Sequence, residues 1–170
     1  MILIAEEGER QLAEKYFPGQ EIRITGVGAL NLLKNLRDLP LSTPIINIGY
    51  VGSANFEIGS LVEIGEVRLY HPNVSYTEPA YRCMPGLADE YGIEVAHTNV
   101  PIFTNVDFVL ESKERDCVFD MELAFILGMG FTNVRSIKIV SDNLSLREHR
   151  QHINTEAVKI GGAKCPTKKS

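Results

Sequence analysis

The sequence of 170 residues contains no tryptophan, only three cysteines and no long apolar run. Cys83, Cys117 and Cys165 are an odd number without a Cys-x-x-Cys pair, which argues against a disulfide framework or a zinc knuckle. Cys117 opens an apolar run and is expected in the core. No run reaches the roughly 18 to 20 apolar residues that span a bilayer. Because the start also turns acidic at Glu6 and Glu7, without the basic region of a signal peptide, we expect a cytoplasmic protein with no membrane partner.

Basic residues are also scarce. Seventeen lysines and arginines against 22 acidic residues give a net charge of −5, which disfavours nucleic acid as a partner. Only four histidines are present. His149 and His152 could share one face of a helix, but no third ligand lies nearby in the sequence. A solvated helix surface is therefore the better interpretation, and neither a metal site nor a cofactor is predicted.

Short β-rich runs alternate with helical runs along the chain, which indicates an α/β fold with a largely parallel or mixed sheet. Residues 1–160 are expected to form one domain, and residues 161–170 a polar tail. The predicted strands are 2–5, 21–25, 44–48, 61–70, a short strand within 101–109, and 134–140. The predicted helices are 9–17, 29–37, 116–129 and 144–159.

Two glycine turns follow predicted strands, at 26–28 and at 49–52. Glycine at the carboxyl end of a strand lets a ligand approach the backbone closely, although a plain tight turn is the simpler interpretation. In a Gly-x-Gly-x-x-Gly motif that starts at Gly26, the third glycine would be residue 31, which is asparagine here. A dinucleotide site is therefore not predicted.

Acidic residues mark two further candidate positions. Asp142 directly follows the predicted strand 134–140, where it could cap the next helix or act as a general acid. Asp120 and Glu122 interrupt the apolar run 116–129, and buried carboxylates are costly unless they are paired or used. On a helix, positions two apart point to nearly opposite sides, so only one of these two is expected to face a pocket.

Four segments together resemble a known family. They are Ile46-Asn47-Ile48-Gly49-Tyr50-Val51-Gly52-Ser53-Ala54, Thr104-Asn105-Val106-Asp107-Phe108-Val109, Phe119-Asp120-Met121-Glu122 and Ile139-Val140-Ser141-Asp142. In this order they are similar to segments of the nucleoside phosphorylase/nucleosidase superfamily, closest to its methylthioadenosine/S-adenosylhomocysteine nucleosidases. The resemblance implies a three-layer αβα fold with a twisted mixed sheet, in a shortened member of the family.

The resemblance also implies roles at the purine. Asp142, in the segment with Ser141, would protonate N7 of the departing base. Phe108 would stack on the purine, and the backbone of Val109 would read its edge.

Further roles are implied at the sugar. Gly52 belongs to the turn over the sugar, Glu122 would bind the ribose hydroxyls, and Met121 would pack against the sugar face. The base that activates water would be Glu6 or Glu7.

The implied reaction is cleavage of a purine nucleoside, such as methylthioadenosine, by water, in a homodimer or higher homo-oligomer. Phosphate is the alternative nucleophile, with Arg23 and Arg82 as its candidate ligands. The acidic pair after the first strand would repel phosphate, and Asn47 stands where phosphorylases place an arginine. A third alternative is a relative that binds a nucleoside without turnover.

Overall fold

The computed structural model describes residues 1–71 and 80–151. Within them the strands are β1 (Ile2–Ile4), β2 (Ile22–Ile24), β3 (Ile45–Gly52), β4 (Leu61–Leu69), β5 (Tyr81–Arg82), β6 (His97–Thr104), β7 (Val118–Asp120) and β8 (Val134–Asp142). The α-helices are α1 (Arg10–Tyr16), α2 (Ala29–Leu36), α3 (Leu87–Tyr91) and α4 (Leu123–Gly128), and a 3-10 turn at Glu7–Glu9 precedes α1. A further helix begins at 146.

The strands form one mixed sheet that closes on itself. β3 pairs with β8, β8 with β4, β4 with β6, β6 with β7, and β7 returns to β3. β1 and β2 extend the sheet from β3 in parallel, and β5 pairs with β4. The expected α/β class and mixed sheet are confirmed. The three-layer arrangement is not, because five strands form a closed ring.

The two long strands at the centre of the sheet are buried on both faces. β3 and β8 are buried along almost their whole length, since the sheet and helices cover them on both sides. One apolar cluster contains Leu32 of α2 and Val118 of β7, and a second contains Phe17 and Ile137. Cys117 is also buried, as expected from the sequence, and burial raises the pKa of its thiol to about 12.

The helix predicted over 116–129 is wrong in its first half. Residues 118–120 are strand β7, and the helix begins only at Leu123. The apolar run is long enough for a helix, but its first part pairs with β6 and is buried inside the sheet. Periodicity alone does not distinguish a buried strand from a buried helix.

Several expectations fall outside the described residues. These are His152, Cys165, most of the predicted closing helix and the tail at 161–170, so the division into domain and tail stays a prediction. None of the helices in the described part of the chain has the length and apolar character needed to cross a membrane.

Candidate active site

An open cavity of about 570 Å³ lies where β1, β3 and β7 end. Its lining contains four glutamate or aspartate residues besides Glu6 and no lysine or arginine. The residues that line it are Ala5, Glu6, Glu9, Val27, Tyr50, Val51, Gly52, Asp107, Phe108, Val109, Phe119, Asp120, Met121, Glu122 and His149. The carboxyl ends of strands in an α/β sheet are where ligands bind, so this cavity is the candidate site.

Glu9 is the buried carboxylate at the end of β1. Its Oε2 accepts hydrogen bonds from the backbone N–H groups of Ala5 at 2.6 Å and Glu6 at 3.3 Å. Its Oε1 accepts one from Tyr50 N–H at 3.1 Å. Burial raises the pKa of Glu9, although Lys138 and these hydrogen bonds oppose the shift. The carboxylate is therefore fixed in position and more basic than a solvated one.

Two glycines of β3 make room for carboxylates. A Cβ atom on Gly49 would lie 2.5 Å from Glu9 Oε1, and one on Gly52 would lie 2.9 Å from Asp142 Oδ1. Both distances are shorter than a van der Waals contact allows. The prediction of a turn at 49–52 is wrong, because these residues continue β3 and pair with β8. Their glycines instead admit the side chains of Glu9 and Asp142.

The glycine turn at 26–28 donates a hydrogen bond to a third carboxylate. Gly28, with a φ of 83°, donates its N–H to Glu122 Oε1 at 3.1 Å. The Met121 N–H donates to Glu122 Oε2 at 3.2 Å. Burial, and after it the neighbouring charge of Asp120, raises the pKa of Glu122 to about 7. Glu122 therefore changes its charge near neutral pH.

Asp120, at the end of β7, is paired with a buried lysine. Its Oδ1 accepts the Thr104 hydroxyl at 2.5 Å, and its Oδ2 accepts Leu123 N–H at 3.0 Å. Lys138 Nζ lies 3.3 Å from Oδ2, and the lysine side chain is only 2% exposed. Since Asp120 and Glu122 both line the cavity, the expectation that only one would face a pocket is wrong. Glu122 precedes the helix, so helical spacing does not apply to the pair.

The buried charges of the site do not cancel. Glu9, Asp120 and Glu122 are buried around one buried cation, Lys138. When all three carboxyl groups are ionised, the cluster has a net negative charge in a region of low dielectric, where Coulomb energies are large. The arrangement can stabilise positive charge that develops on a bound molecule.

Asp142 lies behind the cavity rather than in its lining. Its side chain is fully buried. Its Oδ1 accepts the Ser145 N–H at 3.0 Å, and its Oδ2 lies 2.6 Å from Ser141 Oγ and 3.3 Å from His149 Nδ1. The expectation that Asp142 caps the next helix is wrong, because Ser145 Oγ accepts the Glu148 N–H of that helix and the backbone N–H that Asp142 accepts is that of Ser145 before it. The other oxygen of Asp142 faces His149, which lines the cavity.

An aromatic wall closes one side of the cavity. The His149 ring lies edge-on to Phe108 at 5.4 Å and to Tyr50 at 6.3 Å, measured between ring centroids. His149 Nδ1 is 2.8 Å from Ser141 Oγ. The expectation that His149 belongs to a solvated helix surface is therefore wrong: its ring contacts Ser141 and Asp142 at the end of β8, and its side chain is 24% exposed.

The cavity brings together six of the nine residues proposed from the sequence. Glu6, Gly52, Phe108, Val109, Met121 and Glu122 line it. Ser141 and Asp142 are buried one layer behind. Glu7 lies outside the lining, where its exposed carboxylate pairs with Arg10, which lowers the pKa of Glu7.

Sequence reasoning missed Glu9 and His149. A signal for Glu9 was present, because Glu6 and Glu9 have the three-residue spacing of a capping box at a helix start. That pattern fixes the carboxylate of Glu9 against the backbone after β1. No comparable local signal marked His149, whose contacts are with distant strands.

No cluster of three or more His, Cys, Asp or Glu side chains suited to a metal ion occurs within residues 1–71 and 80–151. The absence of a metal and of a cofactor from the working protein stays a prediction.

The chain has an α/β fold with a mixed sheet and an acidic cavity at the strand ends. Solved structures with a similar fold include 5′-methylthioadenosine/S-adenosylhomocysteine nucleosidases. The enzyme from Chlamydia trachomatis superposes with a TM-score of 0.68 at 18% identity, covering 94% of this chain and 89% of that chain. The Neisseria meningitidis enzyme, in complex with methylthio-immucillin-A, gives 0.66 at 17% identity, covering 92% of each chain.

A third counterpart, from Colwellia psychrerythraea and in complex with adenine, gives a TM-score of 0.63 at 18% identity, covering 94% of this chain and 90% of that chain. The sequence matches no protein-family model and no curated protein. The resemblance deduced from the four segments is thus confirmed as a likeness of fold.

Proposed function

We propose that this protein hydrolyses the N-glycosidic bond of a purine nucleoside related to methylthioadenosine and releases the free base. The observation that carries the proposal is the buried cluster of three carboxyl groups at the cavity, Glu9, Asp120 and Glu122, with the buried Lys138 paired to Asp120 behind it. Among solved structures of the same fold, one nucleosidase is bound to methylthioadenosine and another to adenine.

The charge of the cluster suits the transition state of this reaction. As the bond between C1′ and the purine breaks, positive charge builds on the ribosyl ring and negative charge on the base. Carboxylates that are already fixed by backbone N–H groups stabilise the ring cation without reorganising during the reaction. Glu122 would in addition bind the ribose hydroxyls, and Met121 would pack against the sugar.

Glu9 is the best candidate for the base that activates water. It is buried in the cavity wall, three N–H groups fix its carboxylate, and its pKa is raised. A general base is most effective when its pKa approaches the working pH. Glu6 is exposed at the rim and Glu7 is paired with Arg10 outside the cavity, so both are weaker candidates.

The leaving base would lie against Phe108 and Val109. The resemblance assigns the interaction with N7 of the purine to Asp142, which lies with Ser141 behind the lining on this side of the cavity. A positioned acid of this kind accelerates bond cleavage by about 10²–10⁴-fold.

Water is favoured over phosphate as the nucleophile by the sign of the charge. The lining residues include no lysine or arginine. Arg23 Nη1 lies 3.0 Å from Asp38, and Arg82 Nη2 lies 3.2 Å from Glu66, and neither arginine lines the cavity. An anion entering between buried carboxylates would meet repulsion that no lysine or arginine of the lining compensates.

The test is to incubate the protein with methylthioadenosine, adenosine and inosine, with and without phosphate, and to measure free base by chromatography. Base release without phosphate is expected. Release that requires phosphate would establish the phosphorylase alternative. Binding of the nucleosides without any release, unaltered by Asp142→Asn, would establish a non-catalytic binding protein and refute both enzyme proposals.

We also propose a homodimer or higher oligomer in the cytoplasm. Apolar side chains at the cavity mouth and along α2 are exposed, with Val27 at 45%, Leu30 at 83% and Leu33 at 51%. An exposed apolar face of this kind is typical of a protein interface. Light scattering during size-exclusion chromatography should give a multiple of the 18.9 kDa chain mass, and Leu30→Glu should reduce it.

A further inference from the structure

We propose that His149 hands the proton to the departing purine, while Ser141 and Asp142 hold its ring in place. This inference rests on the proposed function, since it names the group that completes the leaving-group side of the same site. It assigns a substrate-contacting role to a residue in the helix that begins at 146.

The Asp142 carboxylate is not accessible from the cavity. It has no exposed surface and does not line the cavity. One of its oxygens accepts the Ser145 N–H, and the other faces Ser141 and His149. A base in the cavity therefore meets the His149 ring before it can meet the Asp142 carboxylate.

Ser141 is placed to accept a proton from the His149 ring. Its hydroxyl can donate to Asp142 Oδ2 at 2.6 Å or to the Val51 carbonyl at 3.2 Å, and in either case its Oγ presents lone pairs to His149 Nδ1 at 2.8 Å. An imidazolium at His149 fits this arrangement, because its Nδ1–H can only donate. This assignment leaves Nε2, on the opposite edge of the ring, for a ligand.

His149 lies beside the expected position of the purine. The ring lines the cavity and lies edge-on to Phe108, the side chain proposed to stack on the purine. Tyr50 holds it from the β3 side. A purine stacked on Phe108 would thus present its edge to His149, and the negative charge of Asp142 lies on the far side of the ring.

The proton and electron balance is complete without any other reagent. The C1′–N9 bond breaks and its electron pair goes to the purine, while the Nε2 proton of an imidazolium at His149 goes to N7. Water adds its oxygen to C1′ and gives one proton to Glu9. The sum is nucleoside plus water to base plus ribosyl product, and Glu9 and His149 exchange protons with solvent afterwards. Asp142 compensates the imidazolium charge in the manner of a carboxylate that orients a catalytic histidine.

The experiment compares two substrates that differ only in their leaving group. Methylthioadenosine needs a proton on its base, whereas the 4-nitrophenyl 5-methylthioriboside releases a nitrophenolate that needs none. His149→Gln should lose at least about 10²-fold in kcat on methylthioadenosine and stay within a few-fold of wild type on the nitrophenyl riboside. Added imidazole should restore base release to His149→Gly. His97→Gln is the matched control, since His97 stacks on Phe56 outside the cavity lining.

Other outcomes would overturn the inference. Equal losses on both substrates without rescue by imidazole would mean that His149 only supports the structure of the site. Undiminished or faster release by His149→Gln would mean that the ring is a removable cover over Asp142. If wild type cleaves neither substrate, the proposed function itself fails, whereas base release by wild type that His149→Gln leaves intact refutes this inference alone.

Discussion

Replacing Glu122 by glutamine should make the protein more stable than wild type at pH 8 but not at pH 5. Burial and the adjacent Asp120 raise the pKa of Glu122 from 4.5 to about 7. Each unit of pKa shift corresponds to about 1.4 kcal/mol, so this shift corresponds to about 3 kcal/mol in the free energy of unfolding.

The sign follows from proton linkage. A carboxyl group whose pKa is higher in the folded than in the unfolded protein contributes stability that is fully present below the unfolded value. That contribution is lost as the pH rises through the folded value. For Glu122 the window extends from 4.5 to about 7, and above it the ionised side chain opposes folding.

Glutamine resembles the protonated state of Glu122. In each, the carbonyl oxygen can accept a hydrogen bond from Gly28 N–H or Met121 N–H. The second polar atom carries hydrogen, as O–H or as NH₂, so both states weaken the bond to the other N–H group. At pH 5 the two proteins should therefore unfold within about 1 kcal/mol of each other. At pH 8 the variant should be the more stable by up to about 3 kcal/mol.

Urea unfolding followed by circular dichroism at pH 5, 6, 7 and 8 measures the effect. Glu57→Gln is the control, because it makes the same chemical change at an exposed position. A constant difference between Glu122→Gln and wild type over the whole range would refute the reasoning, since it would mean that Glu122 titrates at the same pH in the folded and unfolded protein.

The remaining predictions concern the same charge cluster. Glu9→Gln should lower kcat for base release by about 10²–10⁴-fold, whereas Glu14→Gln, an exposed position of α1, should leave it unchanged; equal activity of the two variants would exclude Glu9 as the base. Gly49→Ala should lose base release and unfold at lower urea concentration, because its Cβ would lie 2.5 Å from Glu9 Oε1; wild-type values for both would contradict this. Lys138→Met should destabilise the fold by about 3–5 kcal/mol in urea unfolding, because it leaves the buried Asp120 without its cation, and the double variant with Asp120→Asn should recover part of the loss.

The sequence was sufficient for most elements of the fold. Runs such as 45–48 and 134–140 are rich in isoleucine and valine, and both are strands in the structure. The prediction of a single helix over 116–129 was wrong, because the apolar residues continue from β7 into α4 without a break in composition. Local patterns report burial, and burial is common to both kinds of element.

Some residues of the candidate site could also be predicted from the sequence, and others could not. Phe108, Met121 and Glu122 were predicted by the likeness of short segments, and all three line the cavity. The acidic residue after β1 was predicted as Glu6 or Glu7, whereas the buried one is Glu9. Three glutamates within four positions have the same composition signal, and only the turn at Glu7–Glu9 decides which one points inward.

The sequence by itself determined where most strands lie, and the likeness of four short segments indicated that carboxylates, glycines and Phe108 would gather near one another. This was possible because the spacing of apolar residues and the turn-forming residues determine secondary structure over a few neighbouring positions. Only the tertiary structure decided that the sheet closes on itself, that Lys138 is buried against Asp120, and that His149 covers Asp142. These contacts join residues far apart in the chain, and their geometry depends on the pairing of whole strands, which no local pattern contains.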